Sequence, residues 1–227
     1  MQPYFLPYIG YFQLVAAVDL FVIYDNVKYT KKGWINRNRI LENGKDAVFT
    51  VPLRRDSDFL DIRDRRVSER FDRTGLQRRV RQAYRAAPFF EPSFALFQRI
   101  VEHADTDLFG FLQHSIVEVC GYLGIQTKIV ASSELPVDHS LQGESRVISM
   151  CRSVGASVYI NPIGGLDLYS RERFAEQGIE LRFQKPHEIR YPQFDDTFVP
   201  WLSILDVMMF NPLPEIRRFL TDRFELL

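Results

Sequence analysis

Apolar positions along the chain change period from helix to strand and back. Ile9, Phe12, Leu14, Val15, Ala16 and Val18 form a helix-like stretch that ends at Asp19. The compact run Leu20-Phe21-Val22-Ile23-Tyr24 follows at once and stops at Asp25. Loop, helix, strand and acid in that order predict the opening of an α/β sheet with a ligand loop at its first helix. Residues 106–123 predict a helix with Leu108, Phe111, Leu112, Ile116, Val119 and Cys120 on its apolar side and Gly124 as C-cap. A strand at 127–131 follows, then a helix carrying Val147, Ile148, Cys151 and Val154 that Gly155 closes. Next come a strand at 157–160, a Gly164-Gly165 loop, a helix at 171–177 and a strand at 179–183. Strands separated by single helices imply crossovers and a mainly parallel sheet.

Residues 26–64 break that rhythm. Short strands are expected at 27–29, 35–41, 47–53 and 60–62, and Asn43-Gly44 between the second and third is a strong hairpin signal. The segment reads as a small antiparallel insertion on the sheet's edge. A helix at 70–87 sets Phe71, Leu76, Val80 and Tyr84 against an outer face of Arg78, Arg79, Arg81 and Arg85, and Pro88 stops it. That arginine face reads as solvated surface. One more helix is expected at 89–102, one around Ile204, Val207 and Met208, and a last at 214–224. Ser203 and Asp206 read as caps of the late helix. With no repeat, linker or low-complexity tract, residues 1–227 read as one unit. Met1 stands where a first strand should finish, so that strand is expected to be short or to lie upstream.

Composition narrows the class. The chain has 227 residues, 46% hydrophobic and 26% charged, which fits a globular protein with a full core. Lys+Arg and Asp+Glu both total 29, so no global field recruits nucleic acid or an anionic membrane. Nucleic acid is therefore the less favoured partner, and a local anion site in the arginine-rich first half the more favoured one. Cys120 and Cys151 read as reduced core thiols of a cytoplasmic protein. His103, His114, His139 and His187 are scattered, which argues against a zinc site. No apolar run approaches the about 18 residues of a membrane span.

Candidate chemistry concentrates at the start. In Tyr8-Ile9-Gly10-Tyr11 the first helix begins, and its unpaired N–H groups make a natural anion site, with Gly10 allowing close approach. Gln2, Tyr4, Tyr8 and Tyr11 would wall a cleft beside it. Asp25, beyond a strand's carboxyl end, could orient an amine, ribose or base, or cap the next turn. The run Lys31-Lys32-Gly33-Trp34-Ile35-Asn36-Arg37-Asn38-Arg39 joins flexible cations, an indole and two arginines that share one face of a strand. Such a pair suits phosphate or carboxylate, and Trp34 could stack on a sugar or base. A charged hairpin edge is the plainer alternative. Gly164 and Gly165, between Tyr159 and Tyr169, offer a second anion nest.

The Tyr8-to-Tyr11 step resembles the His-x-Gly-His signature of Rossmann-like nucleotidyltransferases, with tyrosine at both histidine positions. Phenols with pKa near about 10 cannot supply the imidazoles' positive charge, so the resemblance implies a fold and a pocket but not unmodified adenylyl transfer. Residues 1–13, Asp25-Asn26-Val27, Gly33-Trp34-Ile35-Asn36-Arg37-Asn38-Arg39-Ile40 and residues 198–206 together resemble the WbqC-like family over nearly the whole chain. That resemblance implies a Rossmann-like, mainly parallel sheet with a small antiparallel insertion and a helical C-terminal part. It implies association with bacterial O-antigen and nucleotide-sugar genes, and transfer of an amino acid, glycine-like, or an amine group to a phosphate-activated acceptor such as a nucleotide-linked amino sugar. Asp25 and Lys32 would be catalytic, Arg37, Arg39 and the Gly10 helix end would hold phosphates, and the aromatics would wall the cleft. A second acid often follows the first in that family, whereas Asn26 stands there in this chain. The cofactor is left unknown. A nucleotidyltransferase using Lys31 or Lys32, or a non-catalytic module for nucleotide-sugars or nucleic-acid ends, are the alternatives.

Overall fold

The computed structural model describes residues 1–195 and 197–227. Helix α1 (Ile9–Ala16) leads directly into strand β1 (Leu20–Ile23). The antiparallel hairpin β2 (Arg37–Glu42) and β3 (Lys45–Thr50) follows, then α2 (Arg73–Tyr84), α3 (Phe90–Glu102) and α4 (Leu108–Leu123). Strand β4 (Lys128–Ala131), α5 (Gly143–Ser153), β5 (Val158–Pro162), α6 (Arg171–Ala175) and β6 (Glu180–Pro186) form the alternating part. The chain ends in α7 (Ile204–Phe210), α8 (Leu213–Asp222) and β7 (Phe224–Leu226). The fold is mixed α/β, as the alternation predicts.

The expected single parallel sheet is divided. β1 pairs with β4 in parallel, and β5 pairs in parallel with β6, whose far side takes β7 antiparallel. Residue 1 runs beside β1: Met1 N donates to the Val22 carbonyl at 2.7 Å, and Tyr24 N donates to the Met1 carbonyl at 2.8 Å. The hairpin forms where Asn43-Gly44 predicts it. Both turn residues have positive φ, +53° and +72°, so Glu42 and Lys45 face each other in register. The flanking strands expected at 27–29 and 60–62 are reduced to a single bridge between Lys28 and Asp61. Segments that short gain too few ladder bonds to extend.

Gly124 (φ +79°) takes the left-handed C-cap position after α4 and donates to the carbonyls of Cys120 and Gly121. Gly164 and Gly165 lie not in a loop but in a short 3-10 helix, Ile163–Leu168. Residue 224 does not end a helix: α8 stops at Asp222, and Phe224–Leu226 leaves it to pair with β6.

One hydrophobic cluster gathers α1, the hairpin and helices α2 to α4, α7 and α8; a second, smaller one packs α5, α6 and β6 around Phe174, Leu181 and Phe183. Ile9, Phe12 and Val15, fully buried on α1, each contribute roughly 1.5–3 kcal/mol by burial. Gln13 on the same helix is also fully buried, and its amide donates to the Phe219 and Arg223 carbonyls at 2.7 and 3.0 Å. Those two bonds tie α1 to the end of α8. Asp206, read as a cap, is fully buried instead and accepts from Tyr84 Oη at 2.8 Å and from Tyr191 Oη and Gln193 Nε2 at 2.7 and 2.8 Å. Ser203 does cap α7, accepting from Leu205 N.

Candidate functional site

The opening loop is held against the hairpin and α7 by a chain of main-chain bonds. Phe5 N donates to the Ile35 carbonyl, Ile204 N to the Pro7 carbonyl and Ser203 N to the Arg39 carbonyl, each at 2.9 Å. Buried side chains complete the join. Asn38 Nδ2 donates to the Phe5 and Leu6 carbonyls at 3.1 and 2.9 Å, and Ser203 Oγ to the Leu6 carbonyl at 2.7 Å. Leu6 is fully buried at φ +44°, a left-handed conformation that a branched side chain rarely adopts. Trp201 stands at φ +60°, and its carbonyl accepts from Arg39 Nη2 at 3.1 Å.

Between these segments lies a cavity of about 300 Å³. Tyr4, Pro7, Tyr8, Gly10, Tyr11 and Leu14 supply one wall, Trp34, Asn38 and Arg39 a second, and Pro162, Gln184, Pro186, Trp201 and Met1 the remainder. The chain's two tryptophans both line it, and both are half-exposed, Trp34 at 42% and Trp201 at 50%. The Tyr8 and Trp201 rings lie 5.0 Å apart, and the Arg37 and Arg39 guanidiniums lie 5.5 and 5.4 Å from the Trp34 ring. A larger groove of about 470 Å³ runs between the ends of α1, α4 and α8. None of the residues with candidate chemistry lines it, so size is a poor guide here.

The lining is largely aromatic and includes one cationic side chain. Among the described residues Arg39 is its sole charged side chain: Nη1 is paired with Asp46 at 3.0 Å, and Nε is buried without a partner there. The Tyr11 hydroxyl is likewise buried and unpartnered. Burial raises the Tyr4 phenol, lifts Tyr8 to about 12 with help from the Glu188 charge, and holds Tyr11 well above the usual range. All three are neutral donors. Gln184 Nε2 donates to the Gly10 carbonyl at 3.2 Å, which fixes the amide against the first turn of α1. A Cβ on Gly10 would come 3.1 Å from Pro186 Cγ and 3.3 Å from the Tyr8 ring, so the absence of a side chain there sets the spacing of two walls.

Of the residues named from the sequence, Tyr4, Tyr8, Gly10, Tyr11, Trp34 and Arg39 meet at this cavity. Gln2 stands behind the wall, accepting from Tyr4 Oη at 3.3 Å. Arg37 turns its guanidinium back onto its own loop, donating from Nε to the Gly33 carbonyl at 2.9 Å and from Nη2 to the Lys32 carbonyl at 2.5 Å. Lys32 is exposed, and neither it nor Arg37 is among the residues lining the cavity.

Asp25 lies elsewhere, where the carboxyl ends of β1 and β4 meet. Its carboxylate accepts from Ser132 Oγ and Ser133 N, both at 2.9 Å, and from Ser133 Oγ at 2.5 Å. Burial pushes its pKa up, but the bonds from Ser133 and Ser132 outweigh that and leave it below the ordinary carboxylate value. Asn26 beside it binds the Arg146 guanidinium. Tyr159 and Tyr169 pack on Phe174 in the smaller cluster, and Tyr159 Oη donates to Asn161 at 3.1 Å. Gly164 is exposed, whereas a Cβ on Gly165 would collide with Asn161 Nδ2 at 1.9 Å. None of these lines the cavity.

Asn38, Gln184 and Trp201 received no site role from the sequence, although Asn38 and Trp201 lie in segments that carry the family resemblance. Asn38 carried a usable signal, because an asparagine at an inward position of an alternating strand is a buried polar group that needs partners. Gln184 carried none, since only the tertiary fold brings it to residue 10. Among the described residues no group of three or more His, Cys, Asp or Glu could hold a metal ion. No helix there is long and apolar enough to cross a membrane.

The WbqC-like protein family matches the chain over residues 2–218. An uncharacterized protein of Mycobacterium tuberculosis is 30% identical over 215 residues, spanning 93% of this chain and 91% of that relative. No solved structure matches. With a cavity built from the same opening and tryptophan-arginine segments that carry the resemblance, and a match over nearly its whole length, this chain belongs to the WbqC-like protein family.

Proposed function

We propose that the protein is a transferase that joins an amino acid or amine group to a phosphate-activated acceptor such as a nucleotide-linked amino sugar, and that the acceptor occupies the tyrosine-tryptophan cavity. The observation that carries this is the placement of both tryptophans, half-exposed, on the wall of one cavity whose single charged side chain among the described residues is a guanidinium. Exposed indoles flanking a concave site suit the faces of a sugar or a base. The Arg39 guanidinium and neutral phenols suit phosphate oxygens. A volume of about 300 Å³ takes one ring and part of a phosphate chain, leaving the rest at the open mouth.

In this reading the cavity binds, orients and stabilises developing negative charge, which are the larger contributions to group transfer between held reactants. Asp25, sealed by two serines, positions the ends of β1 and β4 and carries no proton. The transfer of an amino acid or amine group rests on the WbqC-like resemblance, and the cavity's lining supports the proposed seat of the acceptor.

A non-catalytic nucleotide-sugar module is the second reading, favoured by one observation: among the described residues no carboxylate or imidazole lines the cavity. Incubation with a nucleotide-linked amino sugar and glycine, with and without ATP, followed by mass spectrometry, separates the two. A product heavier than the acceptor by one glycyl unit, lost in Arg39→Gln, supports the transferase. Binding without any new mass supports the module, and pyrophosphate release without glycine points to nucleotidyl transfer.

A further inference from the structure

Arg39 reaches the cavity already paired. Asp46, on β3, meets Nη1 at 3.0 Å, the Trp201 carbonyl accepts from Nη2, and Nε has no partner among the described residues. The Trp201 carbonyl is fixed backbone. Asp46 is a half-exposed side chain on the hairpin face that also carries Arg39, and it is not among the residues lining the cavity. An ion pair so open to water is weak and is readily exchanged. Its effect on the cavity is nonetheless large, because it neutralises the single charge that the described lining side chains carry.

We propose that Asp46 sets the charge selectivity of the cavity: paired, it cancels the Arg39 guanidinium, and an anionic ligand enters by taking its place at Nη1. The exchange favours a dianionic phosphate over a monoanionic carboxylate, since the entering group must outcompete a carboxylate already in position. It also leaves neutral sugars and bases insensitive to residue 46. The proposal rests on reading the cavity as an anion site, and it adds a gatekeeping residue that touches Arg39 from outside.

The test uses the full chain and needs no knowledge of the natural ligand. Trp34 and Trp201 are the chain's two tryptophans and both line the cavity, so indole fluorescence reports on it alone. Quenching by iodide, an anion, is compared with quenching by uncharged acrylamide in the native protein, Asp46→Asn, Asp46→Glu and the remote control Asp222→Asn. Asp46→Asn is expected to raise the iodide constant by roughly twofold or more with acrylamide unchanged, because an unpaired guanidinium concentrates anions locally. Asp46→Glu should restore the native ratio. An unchanged iodide-to-acrylamide ratio in Asp46→Asn, or an equal rise in Asp222→Asn, overturns the proposal. Inorganic phosphate added as a competitor tests the underlying reading separately. Protection from iodide at about threefold lower phosphate in Asp46→Asn supports both, while no protection in any protein overturns phosphate binding and leaves the iodide ratio to decide the role of Asp46.

Discussion

The side-chain amide of Asn38 donates to the carbonyl of Leu6 at 2.9 Å, so a buried residue of the hairpin holds a left-handed residue of the opening loop in place. The same amide also serves the Phe5 carbonyl, and its own oxygen accepts from Arg39 N. Asn38→Leu removes all three at a position 6% exposed. The expected cost is about 1–3 kcal/mol, since the Phe5 carbonyl is left without a partner while the Leu6 carbonyl keeps Ser203. Urea unfolding measures it. Acrylamide quenching of Trp34 and Trp201 should rise in the same variant as the two walls part, and an unchanged unfolding midpoint would remove Asn38 from the account.

Trp201 adopts φ +60° with its ring against Tyr8. Comparing Trp201→Gly with Trp201→Ala removes the ring from both and isolates the backbone. Glycine should be the more stable of the two by about 1 kcal/mol, the reverse of the usual order, because alanine keeps the left-handed penalty that glycine escapes. Both variants should lose ligand-induced fluorescence change. Alanine proving the more stable would mean that the strain is absent in solution.

Asp25 and Asp206 should drive stability in opposite directions with pH. Asp25 has a folded pKa below its ordinary value of 3.8. Its stabilisation is therefore complete above that value and is lost as pH falls through the folded pKa. Asp206 is raised by burial, against the bonds from Tyr191, Tyr84 and Gln193. The folded state thus holds its proton more tightly than the unfolded chain, and the group weakens the fold as pH rises from 3.8 through the raised pKa. Against pH, the stability difference between native protein and Asp25→Asn should climb below about 3.8, whereas that for Asp206→Asn should decline above it. Denaturant titrations across pH 3 to 7 give both slopes, and slopes of the same sign would contradict the hydrogen-bond assignment.

What was legible in the sequence was local chemistry. Asn43-Gly44 announces its hairpin, and Gly124 its helix end, because only particular residues adopt those backbone angles cheaply. The convergence of the opening loop with the tryptophan hairpin was implied by the family resemblance, but not its means. Asn38 and Ser203 make the join while Gln184 ties β6 to α1, and the last two lie well over 150 residues from their partners. Arg37 shows the limit from the other side. It shares a strand face with Arg39, yet two main-chain carbonyls occupy its guanidinium, a competition that periodicity does not record. Phe224–Leu226 is extended only because β6 lies beside it, and three residues carry no period of their own.

Cys120 and Cys151 are buried and unpaired, and burial raises their thiols to about 12 and about 11. Thiolate is the reactive form, so neither should react with a disulfide reagent at pH 8 while the protein is folded. Both should react on unfolding in urea, giving two thiols per chain by absorbance. Rapid modification of the folded protein would show that one of them opens to solvent.

Gly10 separates Tyr8 from Pro186 across the first turn of α1, and that spacing is the most direct handle on the cavity. Alanine in a helix is ordinarily favoured over glycine by about 1 kcal/mol. Here its methyl must displace the Pro186 ring, at 3.1 Å, or the Tyr8 ring, at 3.3 Å, and the two effects are of similar size. Gly10→Ala should therefore stay within about 1 kcal/mol of native stability. The Tyr8 ring, partly exposed, is the neighbour freer to move, and Trp201 and the cavity lie beside it. Affinity for a nucleotide-linked sugar, read from tryptophan fluorescence, should fall about tenfold, the equivalent of 1.4 kcal/mol. Retention of full affinity together with native stability would place the ligand away from α1 and remove the opening loop from the binding site.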